Sequence, residues 1–145
     1  LASLPLDYLA RQKHAGPNLN FFKLEQLPVP PPELYDAPAP CEPAVRLGTW
    51  VLARLVDAVP WAGAGLDALL GELRRDGVPR GAGLGRAQAL AELDAAHSVL
   101  LGWGRDELDH AISTFGALRA RDERSHNGRF VTRERILAAF ERLVN

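Results

Sequence analysis

Residues 86–101 read RAQALAELDAAHSVLL, and this stretch decides the fold class of the chain. Apolar side chains recur at Leu90, Leu93 and Leu100 with helical spacing, which predicts a helix that buries one face. Gly102 follows directly, and glycine often ends a helix because it adopts the left-handed conformation without strain. We therefore expect one long helix over this whole stretch.

The same periodicity appears on both sides of this stretch. Further helices are predicted at Ser3–Lys13, Val45–Val59, Leu66–Arg75 and Arg105–Phe115, and in a last segment capped by Thr132 and running through Leu143. Near the N-terminus, the pair Phe21–Phe22 favours a short β element at Leu19–Leu24. The predicted fold class is mainly α, a bundle-like domain of about five or six helices with this short β element.

Prolines and glycines separate the helical regions. Leu27–Pro43 holds seven of the eleven prolines, which predicts an extended, partly polyproline connector that cannot be an inner strand. Gly77–Gly85 reads as a glycine loop, but it lacks the lysine and hydroxyl that a phosphate-binding loop needs. We divide the chain into residues 1–26, the Pro-rich connector 27–43 and a helical domain at 44–145.

Composition bounds the class of protein. The 145 residues are 47% hydrophobic and 24% charged, which is typical of a soluble globular domain. The net charge is −1, so a nucleic-acid role would need a local basic patch. Cys41 is the only cysteine, which excludes an internal disulfide and fits a reducing cytoplasm. No apolar run approaches the roughly 20 residues of a membrane span, and no signal peptide is recognisable. Methionine is absent, so we expect an excerpt of a longer protein.

Two blocks of the chain carry family-like motifs. Residues 6–32 contain LDYLARQK, LNFF and LPVPPP, and residues 91–137 contain AELDAA, then RDELDH, then GRFVTRERIL. In this order they resemble the C-terminal region of bacterial adenine-specific DNA methyltransferases of the type IIG restriction-modification and phage-defence kind. Gly104 and Gly116 depart from the family pattern, which has a capping serine and a proline there. The middle of the chain, residues 44–85, matches only in spacing.

The resemblance implies a non-catalytic part of a larger enzyme. The family's Asn-Pro-Pro-Tyr motif and glycine-rich cofactor loop are not in this sequence. We therefore expect no catalytic residue, no cofactor and no methyltransferase activity in this chain alone. The parent would be a methyltransferase that uses S-adenosylmethionine in the bacterial cytoplasm. Residues 1–26 would end its target-recognition region, and the partners would be double-stranded DNA and the upstream methyltransferase domain.

Basic and amide side chains are the candidates for DNA contact, because they bind phosphates and base edges. These candidates are Arg11, Gln12, Lys13, Asn18, Asn20, Lys23, Arg119, Arg121, Arg124, Arg129 and Arg133. Six arginines lie within residues 119–135, which we call the basic stretch: Arg119, Arg121, Arg124, Arg129, Arg133 and Arg135. The basic stretch has a plainer interpretation, a solvated face or a set of internal ion pairs with Asp122, Glu123 and Glu134. Arg11–Lys13 has a plainer interpretation too, the last turn of a helix, where cations interact favourably with the helix dipole.

Other functional assignments stay open. A helical protein-interaction module that docks a partner subunit without touching DNA is the main alternative, and the near-neutral charge favours it. A tail that only supports the recognition region is a third. No metal site is expected, since His110 and Asp106 share a helical face but two ligands do not make a site. His97 is expected to be a structural histidine. The tryptophans are expected to pack between helices.

Overall fold

The computed structural model describes residues 3–13, 22, 25–59 and 81–145. Six α-helices lie in these ranges, and the prediction of a mainly α fold is confirmed. They are α1 (Leu4–Lys13), α2 (Leu47–Ala58), α3 (Arg86–Leu100), α4 (Arg105–Ser113), α5 (Gly116–Ser125) and α6 (Val131–Val144). None of the helices in the described ranges has the length and apolar character that a membrane crossing requires. The predicted helix Leu66–Arg75 lies outside the described residues.

The central helix α3 packs against α2 on one side and α6 on another. Its alanines let the neighbouring helices approach closely, and Ala89 and Ala95 are fully buried. The predicted end at Gly102 is confirmed, because this residue has φ +72°. The N–H of Gly102 donates to Val99 O and the N–H of Trp103 donates to Ser98 O, the two hydrogen bonds of a Schellman motif.

Two hydrophobic clusters lie among the described residues, and the larger one joins α2, α3, α4 and α6. Trp50 of α2, Leu108 of α4 and Ile136 of α6 are among its fully buried side chains. Leu4 of α1 and Tyr35 pack against the same core, so the N-terminal helix is part of the helical assembly. The division at residues 26 and 43 stays a prediction.

The β structure lies in an unexpected place. The described strands are β1 (Pro38–Ala39) and β2 (Glu42–Arg46), which pair antiparallel inside and just beyond the predicted Pro-rich connector. A 3-10 helix at Pro32–Asp36 precedes them, so the predicted extended, partly polyproline connector also contains short regular elements. Both strands of a two-stranded sheet are edge strands. Proline is tolerated in an edge strand because its position there faces solvent and donates no hydrogen bond to a neighbouring strand. The β element expected at Leu19–Leu24 lies almost wholly outside the described residues.

The predicted cap of the last helix was wrong. Thr132 lies inside α6, and Phe130 occupies the N-cap position without a side-chain cap. The cap comes instead from α5, where Asp122 Oδ2 accepts the N–H of Thr132 at 2.7 Å. Burial alone would raise the pKa of Asp122, but the hydrogen bonds from the Thr132 N–H and hydroxyl outweigh it and lower the pKa. The buried carboxylate of Asp122 therefore connects α5 to the first turn of α6 through this hydrogen bond.

Replacing Asp122 with alanine is expected to cost roughly 0.5–2 kcal/mol of unfolding free energy, as for other lost helix caps. Because folding lowers this pKa, the stabilisation is present above the unfolded pKa and is lost as the pH falls through the folded value. Urea unfolding of Asp122→Ala, Asp122→Asn and the parent chain at several pH values measures both effects. The asparagine should retain most of the cap without the pH dependence. Equal stability of all three proteins at neutral pH would contradict this role.

Candidate nucleic-acid interface

The basic stretch predicted from the sequence contains a helix, α5, that its pattern does not reveal. Among the residues of α5 only Asp122 is buried, and Leu118 and Glu123 are half-buried. The remaining positions expose charged or small side chains. The face of α5 that carries the arginines is therefore exposed to solvent. The hydrogen bond between Asp122 and Thr132 holds the C-terminal part of this helix against α6.

Three of the predicted DNA-contacting arginines in the basic stretch form ion pairs within the protein. Arg119 donates to Glu123 at 2.6 Å, one helical turn away, and Arg129 pairs with Glu134. Arg133 donates both Nε and Nη2 to Asp109, each at 2.5 Å, and so joins α6 to α4. Its hydrogen bonds hold the pKa of Asp109 below the ordinary value. These pairs match the plainer interpretation of the basic stretch.

The N-terminal candidates divide in a similar way. Arg11 pairs with Asp7 at 2.9 Å, and its guanidinium lies 5.0 Å from the centroid of the Phe115 ring at the start of α5. Gln12 is exposed, and Lys13 Nζ donates to Gln26 O. The remaining candidates Asn18, Asn20 and Lys23 lie outside the described residues.

Four arginines are exposed and form no ion pair with any residue that the structure describes. They are Arg86, Arg121, Arg124 and Arg135. Arg124 Nε donates to Ala120 O at 3.1 Å, and Arg86 Nε to Ala58 O at 3.0 Å. Both bonds position the guanidinium without neutralising it. None of these four guanidinium groups is in direct contact with a described carboxylate, although Arg121 and Arg135 lower the pKa of Asp122 and of Glu134 through their charge.

The four arginines without an ion-pair partner line two neighbouring cavities, together with Arg11. A cavity of about 490 Å³ is lined by Arg11, Arg121 and Arg124. A second, of about 250 Å³, is lined by Arg86, Arg121 and Arg135. Because Arg121 and Leu118 line both, the two cavities form one continuous surface. We call Arg11, Arg86, Arg121, Arg124 and Arg135 together the arginine surface.

Sequence reasoning missed two members of this surface. Arg135 was counted in the basic stretch but not among the DNA contacts, and Arg86 was not considered at all. Arg86 is the first residue of α3. A cation there opposes the positive end of the helix dipole, so its position is unfavourable unless something else uses the charge. The unfavourable position of Arg86 at the N-terminus of a predicted helix is the sequence signal from which this residue could have been identified.

A buried carboxylate lies behind the arginine surface. Asp94 of α3 is 5% exposed and lines the smaller cavity. Its Oδ1 accepts the N–H of Leu4 at 2.9 Å, which caps the first turn of α1. Desolvation by burial raises the pKa of Asp94 to about 7, despite smaller lowering effects of Leu4 and Ser3.

The histidine next to Asp94 has a structural environment. His97 is half-buried and its Nδ1 lies 2.9 Å from Leu93 O. Burial lowers the pKa of His97, which favours the neutral ring. Within the described ranges, no three histidine, cysteine or carboxylate side chains converge as metal ligands.

A third feature lies between α1 and α4. Tyr8 packs perpendicular to Trp103 and to His110, with ring centroids 5.9 Å and 6.1 Å apart. Asp106 and Glu107 line the same cleft of about 460 Å³. We call these five residues the aromatic-acidic cleft.

Comparison with known proteins gives no relative. No protein-family model, no characterised protein and no solved structure matches this chain. The functional argument therefore depends on the residues and their geometry.

Proposed function

We propose that this chain is the non-catalytic C-terminal DNA-recognition and structural module of a site-specific adenine DNA methyltransferase or fused restriction-modification enzyme. The observation that carries the DNA role is the continuous arginine surface, four of whose members have no described ion-pair partner. The sequence motifs described above supply the parentage. Methyl transfer belongs to the upstream domain of the parent, with S-adenosylmethionine as donor.

The chemistry of the arginine surface suits a phosphate backbone. A guanidinium is always charged and donates two parallel hydrogen bonds, which match the oxygens of a phosphate. Phosphate contacts fix the position and orientation of a protein on a duplex without reading its sequence. The chain would thus hold DNA in place for the parent's target-recognition and catalytic regions. A net charge of −1 is compatible with this role, because the positive charge is concentrated locally.

A salt titration with duplex DNA tests the proposal. We expect weak binding, with a dissociation constant of about 10⁻⁴–10⁻⁶ M as for other non-specific contacts. The logarithm of the association constant should fall with the logarithm of salt concentration by roughly 0.9 for each phosphate contacted. Fluorescence anisotropy with two unrelated duplex sequences of equal length measures both quantities. Absence of binding at low salt, or binding that salt does not weaken, would contradict the DNA role.

The aromatic-acidic cleft favours the second candidate, a module that docks a partner subunit. Tyrosine and tryptophan are enriched in protein interfaces, and two carboxylates beside them suit a basic partner segment. This alternative predicts no salt-dependent duplex binding. It predicts instead a stable protein partner whose association Trp103→Ala abolishes.

A further inference from the structure

The start of the N-terminal helix α1 is bound to a side chain of the helical core. The N–H of Leu4 donates to Asp94 Oδ1 of α3 at 2.9 Å. Further along α1, the Tyr8 ring packs against the rings of Trp103 and His110. The helix therefore docks on the core through an apolar side and through one carboxyl group at its first turn.

This carboxyl group lies in the interface between α1 and α3, away from water. Asp94 is 5% exposed and lines the smaller cavity of about 250 Å³. Three arginines of the arginine surface line the same cavity, but they are exposed and none of them forms an ion pair with Asp94. They are Arg86, Arg121 and Arg135. A carboxyl group that is buried without a cation in contact favours its protonated form, because the ionised form loses hydration.

Charged groups on α2 and α3 do not neutralise Asp94 either. Burial lowers the pKa of His97, one helical turn away on α3, so its ring is neutral at neutral pH. Arg54 of α2 pairs with Glu92 at 2.9 Å. Glu92 is two positions from Asp94 and therefore faces another side of α3.

The charged groups of the other neighbouring helices have partners of their own. Asp7 and Arg11 of α1 pair with each other at 2.9 Å. Asp122 of α5 accepts the N–H of Thr132 of α6 at 2.7 Å, and its pKa lies below the ordinary value. Asp122 therefore stays ionised near neutral pH, where a buried carboxyl group such as that of Asp94 gains or loses its proton.

We propose that Asp94 is a proton-controlled latch for α1: the protonated carboxyl group holds the helix on the core, and ionisation releases it. While α1 is docked, burial raises the pKa of Asp94 to about 7, although the hydrogen bonds from Leu4 and Ser3 act in the opposite direction. When α1 leaves, the carboxyl group meets water and its pKa returns to about 4, the ordinary value for aspartate. We call this arrangement the Asp94 latch.

Docking of α1 therefore takes up a proton. The stabilisation of the docked helix is complete below the pKa of the released carboxyl group, and it is lost as the pH rises through about 7, the pKa of Asp94 in the docked state. From about pH 8.0 to about pH 5.5 the equilibrium constant for docking should increase about 30-fold, because below about 7 the docked form is protonated and the released form is not.

Release of α1 changes the surface of the protein. Arg11 belongs to this helix and lines the larger cavity of the arginine surface, so release removes one cation from that surface. Tyr8 leaves the aromatic-acidic cleft at the same time. The latch itself does not depend on DNA, and only its effect on duplex binding rests on the proposed function.

Hydrogen exchange of the full chain tests the latch. Mass spectrometry of peptic fragments at several pH values between about 5.5 and about 8.0 gives protection factors for the amides of α1 and α6, once the intrinsic exchange rates are divided out. At the highest pH the amides of α1 should be less protected than those of α6, because release of α1 does not require global unfolding. At the lowest pH the protection of α1 should be about 30-fold higher.

Two variants assign the proton. Asp94→Asn keeps Oδ1 as an acceptor for the N–H of Leu4 and is neutral at every pH, so α1 should stay protected without pH dependence. His110→Gln is the control, because this exposed histidine contacts Tyr8 and histidine titrates in the same pH range. This control should keep the full pH dependence. Far-UV circular dichroism checks that both variants fold.

Three results would overturn the latch. They are protection of α1 that does not change with pH in the parent chain, pH dependence that survives in Asp94→Asn, and equal protection of α1 and α6 at every pH, which means that α1 opens only when the whole chain unfolds. The parent chain alone decides the first and the third. Absence of duplex binding with pH-dependent exchange of α1 would instead refute only the proposed function.

Discussion

Replacing Trp50 with alanine is expected to lower the free energy of unfolding by about 3–5 kcal/mol, the usual range for a buried tryptophan. Only 1% of its surface is exposed. Its Nε1 donates to Glu42 Oε1 at 3.2 Å, and the guanidinium of Arg54 lies 3.6 Å from the ring centroid. The substitution opens a cavity in the shared core and also removes the surface on which a buried arginine stacks. Urea unfolding followed by far-UV circular dichroism measures the loss.

Two further variants show which contact matters. Trp50→Phe keeps much of the apolar contact but loses the N–H donor, so its destabilisation should be intermediate. Trp103→Ala removes a half-buried ring in the aromatic-acidic cleft and should cost less than Trp50→Ala. A loss below about 1 kcal/mol for Trp50→Ala, the value of an average substitution, would show that the core does not depend on this side chain.

The surroundings of Trp50 explain why the loss should spread beyond one contact. Arg54 is 9% exposed and pairs with Glu42 at 3.2 Å and with Glu92 at 2.9 Å. A buried charge pair is expensive to desolvate and is tolerated only when its geometry and hydrogen bonds are good. Here the indole face helps to hold the guanidinium between β2, α2 and α3. The same residue therefore supports both the apolar core and the charge network beside it.

The helices that the sequence predicts correctly are those that bury a regular apolar stripe. For α3 and α4 the observed starts agree with the predicted ones at Arg86 and Arg105. The helix α5 was missed because it buries only Asp122 and so shows no apolar period. The hairpin was missed because the prolines indicate an extended connector. They exclude only an inner strand, and both strands of the hairpin are edge strands, which tolerate proline. The local sequence pattern thus does not predict a helix or strand that is stabilised by tertiary contacts and buries no regular apolar stripe.

Ionic partners of the basic residues were only partly predictable. The pair Arg119–Glu123 has the i, i+4 spacing that lets helical side chains meet. The pair Arg133–Asp109 spans 24 positions and forms only because α4 and α6 pack together. Arg86 likewise joins the arginine surface only through the fold. Sequence spacing identifies local charge pairs, whereas the uncompensated charges are found only when the long-range pairs are known.

Neutralising Arg121, Arg124 and Arg135 together is expected to reduce duplex affinity about 500-fold at 0.1 M salt. Each phosphate contact contributes a factor of roughly 8 at this salt concentration through counterion release, and three contacts multiply. The slope of the salt titration should become shallower by about 2.7. Glutamine keeps part of the aliphatic stem and the polarity of each exposed side chain, so folding should be retained. Anisotropy titrations over a range of salt concentrations measure both changes.

A matched variant separates local contact from net charge. Arg105, Arg119 and Arg129 are exposed and paired with Glu141, Glu123 and Glu134. Their replacement by glutamine changes the net charge by the same amount and should cost little stability, because exposed ion pairs contribute little. Their guanidinium groups are already engaged by carboxylates, so this triple variant should lose much less affinity and keep most of the salt slope. If both triple variants weaken binding equally, DNA senses only the overall charge, and the arginine surface is not the site of contact.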